Sequence, residues 1–109
     1  MEIRKISTAV PLYDKEGVTG RKLTAGENVE IIHMTLEKGA YLLPHKTPFD
    51  AEFYASKGQA VFIIGEKEIT APEGSIISCP GNIEHGIRND SDETINVLVI
   101  KHQKMEVSK

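Results

Sequence analysis

Short runs of apolar and β-branched residues, rather than helical repeats, make up most of this chain. Nowhere do apolar residues recur at the i, i+3, i+4, i+7 spacing of an amphipathic helix over three turns. Runs rich in Val, Ile, Phe, Tyr and Thr alternate instead with Gly, Pro, Asn and Asp, which is typical of strands joined by turns. The predicted strands are 29–36, 40–44, 51–56, 59–64, 67–71, 75–79, 85–88 and 94–101.

The spacing of these strands indicates the fold class. No stretch between them could hold the crossover helix that joins parallel strands, so we expect antiparallel neighbours and an all-β sandwich or barrel. Gly65 and Glu66 predict a tight hairpin in which the glycine has a positive φ. Residues 1–28 are less regular and predict an N-terminal arm or edge strand, residues 29–101 the barrel, and residues 102–109 a polar tail.

Composition and charge exclude several classes of protein. A chain of 109 residues predicts one domain. Thirteen Lys and Arg against 16 Asp and Glu give a net charge of −3, whereas a nucleic-acid binder usually has an excess of basic residues. The longest apolar runs are far shorter than the roughly 20 residues of a membrane helix, and the N-terminus does not resemble a signal peptide. One cysteine excludes an intrachain disulfide, and we expect a soluble cytoplasmic protein without nucleic-acid or membrane partners.

Histidine supplies the candidate chemistry, because it is a common metal ligand and titrates near neutral pH. The chain has four histidines, and a lone histidine on a strand is more often a core or surface residue. His33 and His102 fit that ordinary interpretation. The alternative for His33 is that it faces inward, and it would then be a further candidate ligand. His45 and His85 lie in two segments, 39–58 and 74–89, that begin with glycine and contain proline.

These two segments resemble the two motifs of the cupin superfamily. The second segment matches the family motif at Gly74, Pro80, His85 and Asn89. Asn82 replaces a glycine of that motif, a mild departure because Asn tolerates the left-handed conformation. The resemblance covers residues 29–101, and it implies a small single-domain cupin with an antiparallel double-stranded β-helix, or jelly-roll, barrel.

The first segment matches its motif less well. In cupins, two histidines and a glutamate of this motif, with the histidine of the second motif, bind a divalent metal inside the barrel. The resemblance therefore implies His45 and His85 as metal ligands, whereas Thr47 stands in place of the other histidine. Counted back from Gly58, the glutamate position is Ala51; counted forward from His45, it is Glu52, which we take as the third candidate ligand.

Strand alternation bears on the choice between Ala51 and Glu52. Successive side chains of a strand face opposite sides, so Glu52 points outward if Ala51 and Phe53 point inward. A bulge near Pro48 would turn Glu52 inward, and Asp50 is a further oxygen donor in this loop. A complete site of imidazole and carboxylate would suit Zn, Fe, Mn or Ni. The other interpretations are a two-histidine site that the ligand completes, and a pair without metal that only forms hydrogen bonds.

Three hypotheses for function follow. In the first, the barrel binds a small polar or organic-acid ligand, with a divalent metal on His45 and His85 as Lewis acid and no organic cofactor. Within the family this implies dioxygenation, isomerisation or decarboxylation. In the second, the barrel is a non-catalytic ligand-binding or sensor module without metal, and in the third the histidines serve packing alone. The resemblance also implies a homodimer, since Tyr54 on the outer face would otherwise expose apolar surface.

Overall fold

The computed structural model describes residues 3–26 and 28–102. Residues 103–109, most of the predicted polar tail, lie outside the described part. The described elements are a 3-10 turn at Ile6–Thr8 and the strands β1 Pro11–Lys15, β2 Val18–Ala25, β3 Val29–Leu36, β4 Tyr41–His45, β5 Asp50–Lys57, β6 Ala60–Ile64, β7 Lys67–Ala71, β8 Ile76–Cys79, β9 His85–Arg88 and β10 Ile95–His102. Among these residues, no helix is long and apolar enough to cross a membrane.

The strands form two antiparallel sheets. One sheet has six strands in the order β1-β2-β3-β10-β5-β8, and the other has four in the order β4-β9-β6-β7. Every recorded pairing is antiparallel, as expected from the short connections. The all-β jelly-roll prediction is confirmed.

Strand alternation builds the core between the two sheets. In β5, Ala51, Phe53 and Ala55 are buried, and the residues between them are half-buried. The ring of Phe53 meets that of Phe62 from the opposite sheet, with centroids 5.5 Å apart. Burial of large apolar side chains on the facing sides of two sheets is the main force that holds such a sandwich together.

The N-terminal segment contributes two strands. Strand β1 lies at the edge of the six-stranded sheet, and all five of its residues are exposed. Strand β2 pairs with both β1 and β3, and its Val18 is only 1% exposed. The sequence pattern missed β2 because Gly20, Arg21 and Lys22 interrupt its apolar residues.

Two predicted backbone conformations are present in the turns. Gly65 has a φ of 61°, as expected for the hairpin between β6 and β7. Asn82 has a φ of 65°, so it adopts the left-handed conformation of the glycine that it replaces. The loop before β9 therefore keeps its shape despite the substitution.

Asn89 holds together the end of the barrel away from His45 and His85. Its side chain is buried, and its Nδ2 donates to the carbonyl oxygens of Leu36 at 3.0 Å, Glu37 at 3.1 Å and Glu93 at 2.7 Å. Its Oδ1 accepts hydrogen bonds from the backbone N–H and the hydroxyl of Ser91. One amide thus joins the ends of β3 and β9 to the loop before β10.

Replacing Asn89 by Ala should lower the free energy of unfolding by about 3 kcal/mol, because the buried Leu36 carbonyl and the part-buried carbonyls of Glu37 and Glu93 lose their donor. Urea unfolding followed by circular dichroism measures the change. Asn96→Ala removes the same atoms from a half-buried position on β10 and should cost much less. Equal losses in the two variants would contradict the role given to Asn89.

Candidate functional site

A bulge in β4 turns His45 toward the interior. The pairing of β4 with β9 matches Leu42 with Ile87 and His45 with His85, so β4 has one residue more than β9 between these pairs. Without it, alternation would place His45 on the side opposite Leu42. Pro44 lies within this irregular stretch, where its missing N–H costs no ladder bond. A bulge near Pro48 was one of two alternatives for Glu52, whereas the bulge in β4 acts on His45.

Close backbone contacts fix the strands and loops that carry the two histidines. A Cβ on Gly86 would lie 2.7 Å from the carbonyl oxygen of Leu42, so only glycine lets β9 approach β4 this closely. A Cβ on Gly81 would likewise lie 2.6 Å from the carbonyl oxygen of Pro48. The loop after β4 and the loop before β9 are also joined by a 2.7 Å hydrogen bond, which the Asn82 N–H donates to the Thr47 carbonyl oxygen. Glycine at positions 81 and 86 therefore permits the close backbone approach on which the placement of the two histidines depends.

His45 and His85 form an adjacent pair of rings, with centroids 4.5 Å apart. His85 is 7% exposed and also packs against Phe53, whereas His45 is exposed at the mouth. Nδ1 of His85 lies 3.1 Å from the carbonyl oxygen of Ile83, and Nδ1 of His45 lies 3.3 Å from that of Leu43. A carbonyl oxygen only accepts, so Nδ1 of each ring carries the hydrogen of this bond.

The surroundings of His85 favour its neutral form. Burial is the main reason that the pKa of His85 lies below its ordinary value of 6.5; the charges of His45 and Lys101 lower it further, against the opposing effect of the bond to Ile83. Near neutral pH this ring is therefore a hydrogen-bond acceptor and a proton acceptor at Nε2.

The pair lines a cavity of about 540 Å³ whose wall comes from both sheets. Its most exposed part, which we call the seam, is formed by residues of β1 and β4. This volume is in the range of small-molecule sites. The wall is largely apolar and includes Leu12, Ile32, Met34, Leu42, Ile87 and Val99. The polar side chains of the wall are Tyr13, Lys15, Glu16, Tyr41, His45, His85 and Lys101, and among them His45 and His85 are in ring contact.

Lys101 also lines this cavity, although the sequence analysis did not single it out. It follows Val97 and Val99 at every second position of β10, and both valines are buried. Alternation in the run 94–101 would have placed Lys101 inside the barrel, so the signal was available. Its Nζ lies 3.8 Å from Oε1 of Glu30, a buried carboxylate on β3.

Glu52 lies on the outer side of the six-stranded sheet. The pairing of β5 with β8 runs without a shift from Ala51 to Tyr54, so alternation keeps Ala51 inside and Glu52 outside. The Glu52 carboxylate lies 2.6 Å from Nε2 of His102, the last residue of β10. The structure therefore does not bring Glu52 to the histidine pair, and Ala51 takes the inward position.

The two other candidate oxygen ligands, Asp50 and Thr47, form hydrogen bonds with backbone groups of the loops. Asp50 accepts a 2.8 Å hydrogen bond from the N–H of Gly81 through Oδ1. The Thr47 hydroxyl donates to the carbonyl oxygen of Phe49 at 3.5 Å. Both contacts join or shape the loops that follow β4 and precede β9.

The sequence profile of the Cupin domain family matches residues 32–101, well over half of the chain. The chain belongs to the cupin family. Among curated proteins, no sequence is significantly similar to it.

Solved structures share the cupin fold over almost the whole chain. TT1209 from Thermus thermophilus is 25% identical, with a TM-score of 0.80 over 94% of this chain and 97% of that one. An RmlC-like cupin from Shewanella frigidimarina is 12% identical, with a TM-score of 0.82 over 97% and 94%. A predicted oxalate decarboxylase from Thermotoga maritima is 18% identical, with a TM-score of 0.82 over 93% and 98%. The last two likenesses concern the fold alone.

The residues of this cupin supply only part of a metal site. The tautomers of His45 and His85 suit a metal, because a ligating histidine usually donates its other N–H to an oxygen. Within residues 3–26 and 28–102, however, no three His, Cys, Asp or Glu side chains come together as a metal site. Protein-bound transition metals usually have at least three such ligands. The donor set of this barrel is therefore incomplete for a resident Zn, Fe, Mn or Ni ion.

Two further candidate residues lie away from the cavity of this cupin. His33 alternates with the inward residues Ile32 and Met34 and therefore faces the outer side of β3, yet it is only 6% exposed. Its Nδ1 is buried and has no hydrogen-bond partner. Cys79 is 2% exposed, and burial raises the pKa of its thiol, as does the charge of Asp50. A buried thiol with a raised pKa stays protonated near neutral pH and is a poor nucleophile.

The outer face of the six-stranded sheet also carries Tyr54, opposite Leu98 of β10, and both are half-buried. Their placement agrees with the outward direction that alternation predicts for Tyr54. The homodimer itself stays a prediction, which sedimentation equilibrium would test.

Acid should destabilise this cupin partly through His33. Burial lowers the pKa of His33 below 6.5, and the charge of Arg21 lowers it further. The unfolded chain then binds a proton that the folded chain does not, so the free energy of unfolding falls as the pH drops below about 6.5. In His33→Gln this fall between about pH 7 and pH 5 should be smaller, as measured by urea unfolding at each pH. Parallel curves for the two proteins would contradict the assignment.

Proposed function

We propose that this cupin binds a small polar or organic-acid molecule in its barrel, with His45 and His85 as the polar anchors. The observation that carries the proposal is the adjacent ring pair, 4.5 Å between centroids, at the wall of an otherwise largely apolar cavity. Convergent polar groups in an apolar cavity of this size are typical of ligand sites.

The chemistry of the pair favours a ligand that carries a hydroxyl group. With Nδ1 protonated, a neutral imidazole offers an Nε2 lone pair, which accepts a hydrogen bond but donates none, and burial favours this form of His85. A ligand hydroxyl can donate to one Nε2, and the buried His85 then has the geometry of a general base. Because the donor set is incomplete for a resident metal, we base binding on the imidazoles themselves. A metal-independent binding barrel is thus the form of the proposal that the site supports best.

Ligand binding should be visible at the two imidazole rings. We expect lactate, malate or mandelate to shift the ¹⁵N resonances of His45 and His85 during NMR titration, equally before and after treatment with EDTA. His45→Gln and His85→Gln should each weaken that binding about tenfold, the loss expected for one buried hydrogen bond.

His102→Gln is the matched control, since it changes a histidine on the outer face and should leave the affinity unchanged. Circular dichroism and thermal unfolding show whether each variant folds. If none of the three acids moves the ring resonances, the proposal is overturned. Binding that disappears with EDTA and returns with added Zn or Mn would overturn its metal-independent form.

A further inference from the structure

Lys101 is a cation at an inward position of the barrel wall. It pairs with the inward-facing Ala51 of β5, and it lines the same cavity as His45 and His85. Its side chain is 25% exposed, so much of it is withdrawn from water. A lysine in such a position needs compensation by an anion, because burial of an unpaired charge is costly.

Glu30 supplies only part of that compensation. Its carboxylate lies between two lysines, with Oε2 3.2 Å from Nζ of Lys22 and Oε1 3.8 Å from Nζ of Lys101. Two ammonium groups and one carboxylate leave a net charge of about +1 in this cluster. A separation of 3.8 Å is too long for a hydrogen bond. Glu30 therefore holds the Lys101 ammonium electrostatically, while the N–H groups of Lys101 can donate to a ligand.

The cavity thus has three chemically different parts. The histidine pair offers a hydrogen-bond acceptor at His85, Lys101 attracts a negative charge, and the buried remainder of the wall is apolar. The other polar side chains of the lining are all exposed and therefore lie at its outer part: Tyr13, Lys15, Glu16 and Tyr41. A ligand that matches all three parts has a hydroxyl group, a carboxylate and an apolar body. Building on the proposed function, we propose that Lys101 makes the pocket selective for hydroxy acids with an aromatic or aliphatic body, whose carboxylate it binds.

Other small ligands match the cavity less well. A sugar would bring many hydroxyl groups against an apolar wall, where each group without a partner is costly. A compact acid would satisfy Lys101 but leave the side chains along the seam, such as Leu12 and Leu42, in contact with water. A neutral apolar molecule would leave the Lys101 ammonium with only its long ion pair to Glu30. An apolar hydroxy acid is the class that satisfies every part.

Calorimetric titration with three probes tests the inference. Mandelate has all three features, mandelamide lacks the charge, and lactate lacks the apolar body. The intact protein should bind mandelate at least about tenfold more tightly than either of the others, since a charge-assisted hydrogen bond and an apolar ring each contribute that much. In Lys101→Met the affinity for mandelate should fall to that for mandelamide. Lys101→Arg should retain most of it.

Lys67→Met makes the same change in net charge at an exposed position of β7 and should leave all three affinities unchanged. Equal binding of mandelate and mandelamide, or no effect of Lys101→Met, would overturn the role of Lys101. Lactate bound as tightly as mandelate would overturn the selectivity for an apolar body. In each of these cases, a shift of the His45 and His85 resonances with lactate would leave the proposed function intact. If no probe moves those resonances, the proposed function itself fails.

Discussion

The close approach of β4 to β9 determines the architecture of the pocket. Gly86 lets the two backbones come together, and the extra residue of β4 then turns His45 to the same side as His85. Any side chain at position 86 would separate the strands at the point where the rings meet. The two strands therefore hold the rings side by side through backbone contacts, and a ligand of the proposed kind would meet a pair that is already assembled.

Much of this architecture could be predicted from the sequence, because turn residues and β-branched runs act locally. The left-handed turn at Asn82 depended on the backbone of one residue, and the outward direction of Glu52 followed from alternation within one strand. The bulge at Pro44 could not be predicted in the same way. It depends on the register of two strands that lie far apart in the chain, and the motif that would mark this register is degraded at Thr47 and Ala51.

Lys101 was missed for a different reason. The motif directed attention to residue types that ligate metals, and lysine is not one of them. Strand alternation alone assigns Lys101 to the interior, but a charged residue near the end of a strand is also typical of the surface. Only the position of Glu30 on the neighbouring strand shows how the charge is accommodated.

The pocket also depends on the least buried strand of the sheet. Leu12 and Tyr13 of β1 form one side of the seam, and among the described strands β1 pairs with β2 alone. Such an edge strand opens at a lower free energy than the strands of the core. If the proposed ligand contacts β1 and binds the closed form alone, its binding free energy would add to the free energy of that local opening. Amide hydrogen exchange in β1 would then slow on binding, and this strand would report occupancy of the barrel.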